Sequence, residues 1–339
     1  MPCSISLDWK YRDMRTLVME NRFLRVVFLL DKGSDIMEIR YKPLDMNLLW
    51  QSPIGWRNPL RDTAPNPVSE GGFLDYYGGG WQDIVPSAGG HPVSHRGAAM
   101  GIHGESSMLP WDCVVDEEGG DMVSAYMRVE GVRYPFRLEK YVMLHENAEE
   151  ISFSERLVNT GKQTLEFSWL QHPSFGEPFL QPGSKIVLPE GCRVLVQPES
   201  YNPYGRLMPG EYDWPHVRDR RGHEVDLSLI PSRDLLAEET SFITGMREGS
   251  YILWNPGLNL GFMMGWDTSV FKYLWFWQNY NTPDYPWYGR AWNIALEPSS
   301  SYPGGLPDQI KMKTHITLEA GASLETSFTA GIVRDMKDI

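Results

Sequence analysis

The sequence predicts an all-β chain, a large antiparallel β-sandwich, and three observations carry that reading. Residues 113 to 160 alternate on a period of two: Val123, Ala125, Met127 and Val129 share one parity, and Ile151, Phe153 and Leu157 repeat it. The same alternation appears near the start, in Phe23-Leu24-Arg25-Val26-Val27-Phe28, and at the end, in Met312, Thr314, Ile316 and Leu318 and again in Leu324, Thr326, Phe328 and Ala330. Helical periodicity is nearly absent. The best short candidate is 232–239, Ser-Arg-Asp-Leu-Leu-Ala-Glu-Glu, with Ser232 able to cap it.

Taken in order, the elements support one another. The 113–160 block contains the turn residues Glu117-Glu118-Gly119-Gly120-Asp121, His145-Glu146-Asn147-Ala148 and Asn159-Thr160-Gly161-Lys162, whose backbones tolerate hairpin conformations, so the block reads as an antiparallel meander. Residues 51–110 and 196–225 are rich in Gly and Pro and resist strand assignment. Loops of that length in a compact chain usually carry binding surface. No fixed-period repeat or low-complexity linker interrupts the 339 residues, so 1–339 reads as a single domain.

Composition narrows the function. Hydrophobic residues at 42% and charged residues at 22% allow a large core and exclude wholesale disorder. A net charge of −13 opposes nonspecific nucleic-acid binding, which requires Lys and Arg to neutralise phosphates. Cys3, Cys113 and Cys192 are odd in number, widely spaced and without a CxxC pair, which fits packing residues in a reducing compartment. The N-terminus shows no basic region followed by an apolar run, and no stretch approaches the ~20 apolar residues of a membrane span, so no membrane partner and a cytoplasmic location are expected.

Several residues could carry chemistry. His172 follows the strand-like run 165–170 and precedes Pro173, which tends to end a strand, so it stands at a strand end beside a loop. A core histidine bonded to backbone would show the same local sequence. Glu297 lies between Leu296 and Pro298 with no neighbouring cation. Either its side chain points outward, or the carboxyl is buried and its pKa rises, as a base working near neutrality requires. His103-Gly104-Glu105 is a second imidazole on a loop where Gly permits close approach, or else a surface turn. A buried His and Glu facing one pocket would form an acid/base pair that needs no cofactor.

Trp and Tyr are dense in 274–280 and 285–288. Alternate residues of a strand face opposite ways, so some of these rings belong to the core. Those of the other parity, with Gln278 beside them, suit a ligand having both C–H faces and hydroxyls, as sugars do. Metal and nucleotide sites are not expected: His91 and His95 lie on a Pro-containing loop rather than one helix face, and Gly78-Gly79-Gly80 lacks a P-loop ending.

In their order along the chain, His103-Gly104 with Pro110-Trp111, Gln171-His172-Pro173-Ser174-Phe175, Leu274-Trp275-Phe276-Trp277-Gln278, and Leu296-Glu297 with Tyr302-Pro303 resemble the aldose 1-epimerase (galactose mutarotase-like) superfamily over roughly residues 15 to 334. The resemblance implies the β-sandwich and the interconversion of sugar anomers through an open-chain aldehyde, on a monosaccharide or modified sugar. It implies that His172 is the acid that protonates the ring oxygen and Glu297 the base that takes the anomeric hydroxyl proton. His103 would be a sugar-binding partner and Gln278 would line the pocket, with Asp226, more loosely, on sugar hydroxyls; Trp277 of the aromatic strand and Trp81 are further candidate substrate contacts. The chain departs from the usual pattern in two places. The segment 79–86 replaces an Asn and Arg arrangement before the His-Gly pair, and Ser174 and Gly176 stand where an aromatic Tyr and an Asn are expected.

Two other functions use the same features. A carbohydrate-binding or sensing protein would keep the aromatic wall and leave the two pKa values unperturbed. A lyase or glycoside-processing enzyme would release a new product instead of an anomer mixture.

Overall fold

The structure is a computed structural model that describes residues 2–63, 71–197 and 204–335. Among these, strands dominate, and two large antiparallel sheets account for most of them. The larger sheet begins with Ser4–Ser6, Met14–Glu20, Leu24–Leu29 and Asp35–Tyr41 and continues through Trp81–Ile84, Leu170–Gly176, Trp292–Ser299, Tyr273–Tyr280 and Ala237–Thr244 to Arg193–Val196 and Gly210–Asp213. The second sheet contains the predicted meander, Asp112–Glu117, Met122–Glu130, Phe136–His145 and Glu150–Asn159. It then adds Ser323–Val333, Leu260–Trp266, Gly249–Asn255 and Lys185–Val187.

The two sheets face each other across the core, and strand parity decides what enters it. Val123, Ala125, Met127 and Val129 are buried, as are Ile151, Phe153 and Leu157. Across the interface Trp81 of the larger sheet packs on Phe153 and Phe328 at ring-centroid distances of 5.4 and 5.5 Å, and Phe175 packs on Phe262 at 4.9 Å. A charged cluster lies in the same interior. The Lys140 ammonium pairs with Asp83 and stands 3.8 Å from Glu155, while Gln171 donates to both carboxylates at 2.7 and 2.9 Å. Burial raises Glu155 well above the carboxylate range, reinforced by the charge of Asp83.

Three expectations change. His172 does not stand at a strand end: Leu170–Gly176 runs on through Pro173, which pairs with Trp81, because the residues after it keep their ladder with Trp292–Ser299. The candidate helix at 232–239 is not helical: Ala237, Glu238 and Glu239 open the Ala237–Thr244 strand, because their neighbours on Tyr273–Tyr280 complete a ladder that a short, exposed helix cannot match. The described α-helices are Gly71–Leu74 and Leu306–Met312; the second takes Met312 out of the alternation read at 312–318, of which only Ile316–Leu318 is a strand. The Gly- and Pro-rich segments are not wholly irregular either. Trp81–Ile84 is a central strand, and short pairs form at Val93–His95 with Ala98–Met100 and at His216–Arg218 with Glu224–Asp226. Among the described residues no helix is long and apolar enough to cross a membrane, and all three cysteines are unpaired.

Candidate functional site

The site lies on the face of the larger sheet turned away from the second sheet. Leu170 pairs with Ser299 and Ser174 with Ala295, so His172, between them, stands beside Glu297 on the next strand, and both project to the outer face. On the far side of Glu297, Trp275 and Trp277 continue the row, paired with Glu297 and Ala295. Their neighbours of opposite parity, Phe276, Ile294 and Leu296, fill the core between the sheets.

This outer face floors a cleft of about 440 Å³ whose lining includes His103, His172 and Glu297. The loops roof it. Phe73 and Tyr77 stack at 5.1 Å with a 26° tilt, Phe73 meets the His103 ring at 4.7 Å, and Trp287 stands 6.1 Å from both Tyr77 and Trp277. Aromatic faces over a floor with a few polar atoms are suited to ligands with C–H faces and hydroxyls.

The chemistry concentrates at the floor. Nε2 of His172 is 3.5 Å from Oε1 of Glu297, with the two side chains 5% and 3% exposed. The His103 ring meets that of His172 edge to face at 5.1 Å. Burial pushes Glu297 well above the carboxylate range. Burial, reinforced by the neighbouring His103, pushes His172 well below the usual imidazole value. Burial also lowers His103 to about 4, opposed by a hydrogen bond between Nδ1 and the Ala88 carbonyl at 3.0 Å. The two shifts are opposed: Glu297 holds its proton more tightly than an ordinary carboxyl, and His172 more weakly than an ordinary imidazole. Among the described residues no group of three or more His, Cys, Asp and Glu is arranged to hold a metal ion.

A family model, Domain of unknown function (DUF4432), matches residues 12–205. The chain belongs to this family. No curated protein matches it. Among solved structures, a Klebsiella pneumoniae protein provisionally named an aldose 1-epimerase superposes with a TM-score of 0.71 at 16% identity, covering 98% of this chain and 83% of its own. A similarly named Escherichia coli K12 protein gives 0.57 at 16% identity over 98% and 99%. A galactose mutarotase-like protein of Clostridium acetobutylicum gives 0.63 at 13% identity over 98% and 99%. The DUF4432 chain thus has the galactose mutarotase-like fold, the β-sandwich expected from its sequence.

The structure brings four of the seven singled-out residues of this DUF4432 protein into the cleft: His103, His172, Glu297 and Trp277. It separates the other three. Trp81 faces the inter-sheet core, with Nε1 donating to Gln171 Oε1 at 2.8 Å, because its strand parity is opposite to that of the cleft-facing residues. Gln278 also has the inward parity, one residue off Trp277, and its Oε1 faces Arg206 at 3.5 Å. Asp226 ends a surface hairpin and accepts from the backbone and hydroxyl of Ser228 at 2.8 and 2.6 Å. Sequence reasoning missed Phe73 and Tyr77, which lie in a stretch without periodicity. The available signal was Ser174, a small residue that leaves room for an aromatic ring from elsewhere.

Proposed function

We propose that this DUF4432 chain is a cofactor-independent isomerase that interconverts sugar anomers by acid/base ring opening, in the manner of an aldose 1-epimerase. The supporting observation is the His172–Glu297 pair, two buried groups with opposed pKa shifts, side by side on the floor of an aromatic cleft. In ring opening, carboxylate Glu297 takes the anomeric hydroxyl proton, and the O–H electron pair it releases forms the aldehyde C=O bond. The bond from the anomeric carbon to the ring oxygen breaks, and the ring oxygen receives the Nε2 proton of His172. Closure after rotation about the adjacent carbon–carbon bond reverses each transfer on the other face of the carbonyl.

The pKa directions support this cycle. The shifts favour a protonated Glu297 and a neutral His172, the arrangement that ring opening leaves behind and that closure needs. One proton moved between the two groups prepares the site for opening. His103 and Trp277 would hold the sugar, the first through Nε2, since its Nδ1 is taken up by the Ala88 carbonyl, and the second through its ring face. A single domain spanning 1–339 is consistent with the placement of the Ser4–Ser6 and Ser323–Val333 strands in the two main sheets. Three unpaired cysteines support a reducing compartment such as the cytoplasm.

Polarimetry or anomeric NMR across a panel of free aldoses and their acidic or phosphorylated derivatives tests the proposal. Faster equilibration of at least one sugar is the expected result. A sugar that binds in the cleft while its anomers equilibrate only at the spontaneous rate would make the chain a carbohydrate-binding protein, and a new product would make it a lyase or a glycoside-processing enzyme.

A further inference from the structure

Two hydroxyls lie behind His172, on the side away from Glu297. Ser174 Oγ is 3.4 Å from Nδ1 of His172, and the Tyr77 hydroxyl is 2.6 Å from Ser174 Oγ. All three residues are buried. Burial, with the nearby charges of Glu297 and Asp35, raises the Tyr77 phenol far above its ordinary value, so it keeps its proton.

The hydroxyl pair is held firmly. The Ser174 amide donates to the Gly80 carbonyl at 2.9 Å, and the Ser174 carbonyl accepts from the Trp50 amide at 2.8 Å. The Tyr77 ring is stacked on Phe73, stands 5.9 Å from Trp50 and meets His172 edge to face at 5.6 Å. Trp50 occupies the space above Gly176, where a Cβ would come within 2.1 Å of its Cδ1.

An imidazole that passes a proton through Nε2 must keep its other nitrogen protonated throughout, because otherwise release would leave an imidazolate. A proton on Nδ1 needs an acceptor, and Ser174 Oγ is the side-chain oxygen within reach. We propose that Ser174 and Tyr77 are positioning residues for His172: Ser174 Oγ accepts from Nδ1–H, Tyr77 anchors Ser174, and the working proton is thereby confined to Nε2, facing Glu297. This inference rests on the reading of His172 as the acid.

The test combines ¹⁵N NMR of the His172 ring with the pH profile of anomer interconversion in the full chain and in the variants Ser174→Ala and Tyr77→Phe. Neutral His172 is expected as the Nδ1–H tautomer in the parent, with the Nε2–H form gaining in both variants. Turnover should fall roughly 10- to 100-fold with KM unchanged, a part of the ~10²–10⁴ that a positioned acid contributes. Loss of the acceptor disfavours the imidazolium, so the alkaline limb should move to lower pH. The double variant should lose no more than Ser174→Ala alone, because the two hydroxyls act in series. Tyr77→Phe keeps the ring stack and carries the test if Ser174→Ala does not fold. A parent with neutral His172 as Nε2–H, or variants that leave both tautomer and alkaline limb unchanged, would overturn the inference. If no sugar is interconverted, the proposed function fails, while the NMR measurement still decides the tautomer.

Discussion

Glu297 and His172 stand side by side on adjacent antiparallel strands, with Oε1 3.5 Å from Nε2. Their proximity comes from strand register: the Leu170–Ser299 and Ser174–Ala295 pairings leave the two residues opposite one another, and the period of two sends both to the same face. A shift of one residue in either strand would put one of them in the core and abolish the pair.

Glu297→Gln keeps the shape of the side chain and removes its proton affinity. Turnover should fall by ~10²–10⁴ with sugar binding largely retained, as measured by anomeric exchange NMR and by titration calorimetry. Stability should respond in the opposite direction. The folded pKa of Glu297 is raised, so its contribution is fully present below the ordinary carboxylate range and is lost as pH rises through the folded value. The amide does not titrate, so the variant should match or exceed the parent in urea denaturation at alkaline pH. A variant that equilibrates anomers at the parental rate would make Glu297 structural.

His103 makes stability depend on acid. Its folded pKa is depressed from 6.5 to about 4, so the stabilisation it provides is present above 6.5 and is lost as pH falls through about 4. The shift corresponds to roughly 3 kcal/mol. Urea midpoints should therefore decline between pH 7 and pH 4, and the decline should be smaller in His103→Gln. Equal declines in parent and variant would assign the acid sensitivity to other groups.

Gly176→Ala tests the space that Trp50 fills. The new methyl would meet Trp50 Cδ1 at 2.1 Å, and Trp50 also supports Trp287 at 5.4 Å. A loss of about 1–3 kcal/mol is expected from overpacking, together with weaker sugar binding as Trp287 shifts. Thermal denaturation and calorimetry measure the two effects. An unchanged melting temperature would mean that the indole moves aside at no cost.

Trp81 and Trp277 should separate cleanly. Trp81→Phe leaves Gln171 Oε1 without its 2.8 Å donor inside the core and should cost roughly 1–3 kcal/mol of stability, with substrate affinity unaffected in the folded protein. Trp277→Ala removes a ring from the cleft wall and should raise KM more than it lowers stability. Were Trp81→Phe to weaken sugar binding and leave the melting temperature in place, its assignment to the core would be wrong.

Local sequence is enough to recognise the sandwich, because strand periodicity is a local property. The alternation at 123–129 and 151–157 names the buried residues of the second sheet before any pairing is known. The presence of His103, His172 and Glu297 in one cleft could be anticipated from the resemblance that ordered them, although His172 and Glu297 lie inside their strands and not at strand ends. Tertiary structure alone decided which neighbour of a pair faces the ligand: Trp277 or Gln278, His172 or Gln171. Parity depends on register, and register depends on strands that are distant in sequence. It also decided what surrounds His172. Tyr77 comes from a stretch with no periodicity of its own, 97 residues before Ser174, and reaches it only because Trp81–Ile84 lies next to Leu170–Gly176 in the sheet. The pKa shifts arise in the same way, since they depend on burial, and these three groups become buried only when the sheet and its loops close around them.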